Sequence, residues 1–99
     1  MRDFIGRKVI VRGDKSGVFF GTLADKDGME VKLTDCRRLW YWDGGASISQ
    51  LAVEGPVKPD NCRFTVAVSE IVITDAVEII PCTENAIKAI EGVQVWRIE

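Results

Sequence analysis

The chain of 99 residues contains no histidine. Because a serine or cysteine nucleophile is usually activated by a neighbouring imidazole, this absence excludes the Ser-His-Asp and Cys-His classes of enzyme. It also disfavours a zinc enzyme, since histidine is the usual nitrogen ligand of catalytic zinc. We therefore expect a protein that is not an enzyme and that holds neither a metal ion nor a cofactor.

Long apolar runs and a strong excess of one charge are also missing. No apolar run approaches the roughly 20 residues that span a bilayer, and no apolar leader precedes the first strand-like segment. We therefore expect a cytoplasmic protein with no membrane partner. The formal net charge of −2 lacks the broad positive field on which general DNA binders depend, so we expect no stable nucleic-acid partner.

Cysteine is scarce, and its three positions are Cys36, Cys62 and Cys82. Their odd number does not favour a disulfide framework, and their spacing is too wide for a metal knuckle. We interpret them as reduced thiols packed in the interior. The balance of 46% hydrophobic and 28% charged residues is typical of globular proteins, so residues 1–99 are predicted to form one small domain.

The periodicity predicts a mainly antiparallel sheet. Residues 8–12, 18–23 and 29–33 read as a three-stranded meander, with an Asp-Gly turn signal at Asp27 and Gly28. Residues 63–68, 70–73 and 76–80 read as further strands. Together they predict the α+β class: a small curled sheet or partial barrel with one short helix and one C-terminal helix.

Two capping signals predict the helices. Ser47 and Gln50 match a capping box, which predicts a short helix through about Val53. Thr83 can cap a second helix that ends near Gly92. The tail at residues 93–98 alternates again, which predicts a last strand or a subunit contact.

Residues 35–51 concentrate the groups that bind ligands. Unbroken alternation after Leu33 would send Asp35 and Arg37 into the core. Either a bulge or turn at Thr34 and Asp35 resets the register, or Asp35 and Arg37 sit as a pair at the edge of the core; we favour the bulge. Beyond it, alternation places Arg38, Trp40 and Trp42 on one face, opposite Leu39 and Tyr41.

That face predicts a nucleotide site, because proteins commonly meet a base with aromatic rings and a phosphate with arginine forks. The helix start adds free backbone N–H groups, and Phe19 is a secondary candidate for a ligand wall. The predicted ligand-binding residues are Arg37, Arg38, Trp40, Trp42, Gly44, Gly45, Ser47, Ser49 and Phe19. In the competing interpretation, at least one of Trp40 and Trp42 lies in the core, and the two arginines pair with Asp35 and Asp43 at the surface.

Three segments resemble a family of small tailed-phage and prophage proteins of unknown function. They are residues 17–23, 36–52 and 79–83, and the Arg-Arg-Leu-Trp-Tyr-Trp block is the most distinctive. Small phage proteins of this type include anti-defence sponges, which are oligomers that sequester nucleotide immune signals such as cyclic ADP-ribose isomers. The resemblance thus implies a viral homo-oligomer in the bacterial host cytosol.

We therefore expect a binding protein that sequesters a cyclic ADP-ribose-type or related cyclic nucleotide without cleaving it. Three alternatives stay open. The exposed aromatics can form a hot spot for a host protein, as in an inhibitor or adaptor. The small barrel can bind single-stranded nucleic acid, against which the net charge counts, or the protein can hydrolyse its nucleotide.

Overall fold

The computed structural model describes residues 3–43, 45 and 47–98. In chain order its elements are β1 (Lys8–Gly13), β2 (Val18–Asp27), β3 (Glu30–Tyr41), α1 (Ile48–Glu54), a 3-10 turn (Pro59–Asn61), β4 (Arg63–Phe64), β5 (Val68–Ile73), β6 (Ala76–Pro81) and α2 (Glu84–Glu91).

The six strands form one curled antiparallel sheet. β1 lies between β2 and β6, and β3 lies beyond β2. The other edge of β3 pairs with β5 along its first half and with β4 at its end. Although β5 and β6 are consecutive in the chain, they lie at opposite edges of the sheet, which therefore stays open. The predicted α+β class, with a curled sheet, a short helix and a C-terminal helix, is confirmed.

Both faces of the sheet are covered, so the molecule has two apolar clusters. One contains Ile10 and Phe20 and packs against both helices. The other contains Val11 and Phe19 and is formed almost entirely by strand side chains inside the curl. Neighbouring residues on β1 and β2 are consequently buried on opposite faces. Continuous apolar runs are typical of strands that are covered on both sides.

A bulge bends β3 where the sequence predicted it. Thr34 pairs with Thr22 and Arg37 with Phe20, so two residues of β3 lie opposite Gly21 alone. Asp35 adopts a left-handed backbone with φ of 49° and points to solvent. A Cβ at Gly21 would lie 3.0 Å from the Thr34 carbonyl oxygen and 3.2 Å from the Cys36 Cα. The bulge is therefore confirmed, and it requires a glycine on the neighbouring strand.

The two predicted helix caps are also confirmed. The Ser47 hydroxyl accepts from the Gln50 N–H at 3.2 Å, and the Thr83 hydroxyl accepts from the Ala86 N–H at 3.1 Å. Thr83 also donates its hydroxyl to the Val53 carbonyl at 2.6 Å and its N–H to the Ala52 carbonyl at 3.0 Å. The start of α2 is thereby joined to the end of α1.

Two predicted strands differ from the structure. The segment predicted at residues 63–68 is interrupted at residues 65–67. Arg63–Phe64 form β4 and Val68 already begins β5, because the two strands pair with different parts of β3. The tail contributes a single parallel bridge between Phe64 and Val95 rather than a strand. This bridge still fixes the path of the tail beside β4.

Candidate ligand-binding surface

An exposed group of aromatic side chains lies where β3 ends. Trp40 is 56% exposed and stacks on Trp96, with ring centroids 5.1 Å apart and planes inclined by 15°. The Arg63 guanidinium lies 5.5 Å from the Trp40 ring, 5.6 Å from the Trp96 ring and 5.9 Å from the Tyr41 ring. Trp40, Tyr41, Arg63 and Trp96 are called the aromatic surface below.

Strand pairing assembles this surface from three distant parts of the chain. Tyr41 pairs with Arg63 across β3 and β4. The Trp96 N–H donates to the Phe64 carbonyl at 2.9 Å, next to the bridge formed by Val95. The tail thus runs along β4 and brings the Trp96 indole over Trp40.

Two clefts adjoin the aromatic surface. The Tyr41 cleft has a volume of about 550 Å³ and is lined by Tyr41, Asp43, Asp60, Asn61, Cys62, Arg63 and Trp96. The Arg97 cleft has a volume of about 320 Å³ and is lined by Pro59, Asp60, Cys62, Gln94, Val95, Trp96 and Arg97. Because the two clefts share Asp60, Cys62 and Trp96, they are neighbours, and together they are called the groove below.

Charged groups of both signs lie unpaired in the Tyr41 cleft. Among the described residues, the Arg63 guanidinium makes ring contacts but no hydrogen bond or ion pair. The Asp60 carboxylate likewise has no partner in that part of the chain. Asp43 differs, since it accepts from the Asn61 side-chain amide at 3.1 Å. Free donors and a free acceptor therefore face the same space beside an indole ring.

Arg37, a predicted ligand contact, is buried instead. Its side chain is 7% exposed and donates to backbone carbonyls of four residues: Thr65 and Ile90 at 2.9 Å, Phe64 at 3.2 Å and Gln94 at 3.5 Å. Burial lowers the pKa of the guanidinium from its ordinary value. The prediction that Arg37 contacts a ligand is corrected, because its donors are directed at carbonyls of β4, α2 and the tail.

The side chains of Arg38 and Phe19 also make contacts within the fold. Arg38 donates to the Ser16 carbonyl at 2.6 Å and lies 4.5 Å from the centre of the Phe19 ring. Phe19 is 1% exposed, so the prediction that it forms a ligand wall is corrected; the covered inner face of the sheet encloses it. Neither Arg37 nor Arg38 forms an ion pair with a described residue, so the alternative pairing with Asp35 and Asp43 is not observed either.

Trp42 lies apart from Trp40. It packs, partly buried, against the helix-side cluster that contains Leu39. The expectation that it shares a face with Arg38 and Trp40 is wrong, because β3 ends at Tyr41 and strict alternation stops there. Trp42 thus contacts the core from its border, whereas Trp40 is exposed, so neither tryptophan is fully enclosed.

Gly45, Ser47 and Ser49, which were predicted at the helix start, do not join the aromatic surface. A Cβ at Gly45 would lie 3.4 Å from Leu51, and the Ser47 hydroxyl is occupied by its cap. Ser49 is exposed on α1. These three residues line neither cleft. Gly44, the fourth predicted residue here, lies outside the described residues.

The sequence interpretation missed Arg63, Trp96 and Asp60. Trp96 carried a signal, because a tryptophan so near the end of a chain needs a partner for its ring. Arg63 and Asp60 carried no sequence signal of this kind, since they follow residues that are typical of surface turns.

The three cysteines are packed thiols, as predicted. All are buried and free, and burial raises the pKa of both Cys36 and Cys82 to about 11. Cys62, which lines both clefts, donates to the Lys58 carbonyl at 3.4 Å. Over residues 3–43, 45 and 47–98, no group of three or more Cys, Asp or Glu residues is placed to hold a metal ion. No helix in the same ranges has the length and apolarity to cross a membrane.

Solved structures place the fold in a known class. The chain is similar to a heptameric archaeal Sm protein, studied for its implications for the eukaryotic snRNP core, with a TM-score of 0.50 and 19% identity over 83% of this chain and 94% of that one. It is similar at the same TM-score and identity to the SmAP1 heptamer of P. aerophilum, covering 83% of this chain and 86% of that one. The fold is therefore Sm-like.

A family model described as a domain of unknown function (DUF6948) matches residues 6–90, so the chain belongs to that family. A comparison with curated proteins finds no match. The matched residues include Trp40, Tyr41 and Arg63, whereas Trp96 follows them.

Proposed function

We propose that this protein binds a nucleotide at the aromatic surface and sequesters it without cleaving it. The observation that carries the proposal is the stacked pair of exposed indoles, Trp40 and Trp96, with the Arg63 guanidinium beside both rings. A base stacked on such a platform typically contributes about 1 to 3 kcal/mol to binding. More specifically, we propose that it is a phage protein that binds a signal of the cyclic ADP-ribose type in the host cytosol.

The neighbouring groove supports a ligand of this size. Its larger part, about 550 Å³, falls within the range of small-molecule sites. Arg63 has free N–H donors that suit a phosphate, which accepts two parallel hydrogen bonds from a guanidinium. The Cys62 thiol in the groove is directed at the Lys58 carbonyl, and the chain contains no imidazole to activate it. Binding without turnover is consistent with this set of groups.

Substitution of the two stacked rings tests the proposal. We expect Trp40→Ala and Trp96→Ala each to weaken nucleotide binding by roughly tenfold or more, because each removes one ring of the platform. Isothermal titration with cyclic ADP-ribose and with mononucleotides gives the affinity, and chromatography of the ligand after heat denaturation of the protein shows whether it is intact.

The matched control is Met29→Ala, which truncates a large side chain that is 53% exposed in the turn between β2 and β3, outside both clefts. It should bind like the wild type. Unchanged affinity in both tryptophan variants would exclude the aromatic surface as the site, and a chemically altered ligand would exclude simple sequestration.

We further propose that the protein is a homo-oligomer. β5 and β6 each pair on one side only, and exposed valines lie on both: Val68 and Val72 on β5 and Val77 on β6. Two open edges on opposite sides of one sheet allow head-to-tail strand pairing, which closes into a ring when the rotation permits. The similar Sm proteins are heptamers.

The same surface also fits a second candidate, the docking of a host protein. Trp, Tyr and Arg dominate hot spots of protein interfaces, and here all three residue types are exposed together. A pull-down that recovers one host protein in stoichiometric amount, with no nucleotide in the purified sample, would favour this candidate.

A further inference from the structure

We infer that the Asp60 carboxylate selects the ligand by accepting two adjacent hydrogen bonds from it. This inference rests on the proposed nucleotide binding and names the chemistry that the site recognises. The recognised group carries a pair of neighbouring donors, as in the N1–H and N2–H edge of guanine or the vicinal diol of a ribose.

The position of Asp60 is the first reason. Asp60 lines both the Tyr41 cleft and the Arg97 cleft, and Trp96 is the ring that both clefts share. A base that stacks on this ring therefore has Asp60 within the same groove. The residue is also held firmly, because it sits in the 3-10 turn Pro59–Asn61, whose first residue has a fixed φ.

Backbone hydrogen bonds close this turn on both sides of Asp60. The Asn61 N–H donates to the Lys58 carbonyl at 3.0 Å, and the Cys62 N–H donates to the Pro59 carbonyl at 3.2 Å. The backbone that carries the carboxylate is thus held in one conformation before a ligand arrives, which restricts where the Asp60 side chain can reach.

The second reason is that Asp60 is a carboxylate of the groove whose two oxygens are both without a partner among the described residues. Asp43 already accepts from the Asn61 amide at 3.1 Å, whereas Asp60 has no partner among the described residues. Arg63 lines one cleft and Arg97 lines the other, so each cleft contains a cation as well as the shared carboxylate of Asp60. A ligand can therefore place an anionic group near either arginine and its donor pair at Asp60.

Carboxylate geometry then defines the selectivity. Two oxygens on one carbon accept two parallel hydrogen bonds, and a carboxylate acceptor makes each bond stronger than a neutral one does. The pairing edge of adenine offers one donor beside an acceptor, so it does not match. A ribose diol does match, and a cyclic ADP-ribose-type ligand carries such a diol.

Titration of the full chain with three probes shows whether the recognised donor pair belongs to guanine or to the ribose diol. The probes are guanosine, adenosine and 2′-deoxyguanosine 5′-monophosphates. If guanine is recognised, both guanine nucleotides should bind roughly 10- to 100-fold more tightly than the adenine nucleotide. If the diol is recognised, the two ribonucleotides should bind alike and the deoxynucleotide should bind more weakly by a similar factor.

Asp60→Asn is the decisive variant, because an amide keeps the shape and has a single acceptor oxygen. It should remove the discrimination that the wild type shows, and it should fold normally because Asp60 is exposed and unpaired. Asp14→Asn removes the same charge from the turn after β1, outside both clefts, and should leave the discrimination intact.

The outcomes are distinct. Nucleotide binding without discrimination in the wild type, or discrimination that survives Asp60→Asn, overturns the inference and leaves the proposed function standing. Absence of binding by all three probes and by cyclic ADP-ribose overturns both.

Discussion

At the scale of single residues, Arg37 is a cation held in the interior, and it has no carboxylate partner among residues 3–43, 45 and 47–98. Its guanidinium is surrounded by carbonyl oxygens, one of which, that of Ile90, belongs to the last turn of α2. A helix C-terminus carries partial negative charge, so it favours a cation there. Arg37 thus joins β3, β4, α2 and the tail through one side chain.

Replacement of Arg37 should therefore be costly. We expect Arg37→Leu to lower the free energy of unfolding by about 3 kcal/mol or more, because buried carbonyls lose their donors. Urea denaturation measures the change. Arg12→Leu is the control, since Arg12 is exposed and its ion pair with Glu78 is expected to contribute less than about 1 kcal/mol. Equal effects of the two substitutions would contradict the assigned role.

The burial of Arg37 and Phe19 could not be predicted from the sequence. The carbonyl partners of Arg37 lie 27 to 57 positions away along the chain, and no local pattern indicates such contacts. Phe19 and Phe20 are adjacent, so a sheet covered on one face would expose one of them. Only the curl and the helices together bury both.

At the scale of elements, one carboxylate joins two turns of the sheet. Asp75, between β5 and β6, accepts from the Lys15 N–H at 2.8 Å, from the Ser16 N–H at 3.0 Å and from the Ser16 hydroxyl at 2.5 Å. Both donor residues, Lys15 and Ser16, belong to the turn that connects β1 and β2. A Cβ at Gly13 would lie 1.9 Å from the Ser16 Oγ, so the turn requires glycine there.

This contact predicts a dependence of stability on pH. Hydrogen bonds from the Ser16 hydroxyl and the Lys15 N–H lower the pKa of Asp75 below its ordinary value. Because the pKa is lower in the folded state, the stabilisation is present above the unfolded pKa of about 4 and is lost as the pH falls through the folded value. Asp75→Asn should thus flatten the loss of stability between about pH 5 and 2.

The measurement is the urea midpoint at several pH values for the wild type and for Asp75→Asn. Asp3→Asn, a change at an exposed position outside this contact, serves as the control. If the urea midpoint falls with pH in the same way for the wild type and for Asp75→Asn, then Asp75 does not contribute to the loss of stability in acid.

The elements that the sequence predicted best have local signals. Ser47 and Thr83 are followed by the residues that a cap requires, and the bulge at Asp35 was indicated by a conflict between alternation and charge. The strand predicted at residues 65–67 is not formed. Its pairing would depend on β3, and β3 is already paired with β4 and with β5.

At the scale of the whole molecule, the open edges predict assembly. The side chain of Val72 is 57% exposed on β5, the strand at one free edge. We expect Val72→Lys to disrupt head-to-tail pairing, because it places a charge in an apolar strand contact. Light scattering after size exclusion should show the mass falling from a multiple of 11.0 kDa toward 11.0 kDa.

Val57→Lys adds the same charge at a residue that is 63% exposed in the connection between α1 and the 3-10 turn, outside β5 and β6, and should leave the assembly unchanged. A wild type that is monomeric across the accessible concentrations would contradict the proposed oligomer. The sequence indicated a curled sheet, but it could not indicate which strands stay unpaired, because β5 and β6 look like an ordinary hairpin.

The contact between Trp40 and Trp96 gives this protein a built-in optical reporter. Two indoles whose centroids lie 5.1 Å apart at an inclination of 15° couple their electronic transitions. Any molecule that slides over, separates or quenches this pair alters circular dichroism and fluorescence without a dye or label. Screens for small compounds can therefore read occupancy directly from the unmodified chain.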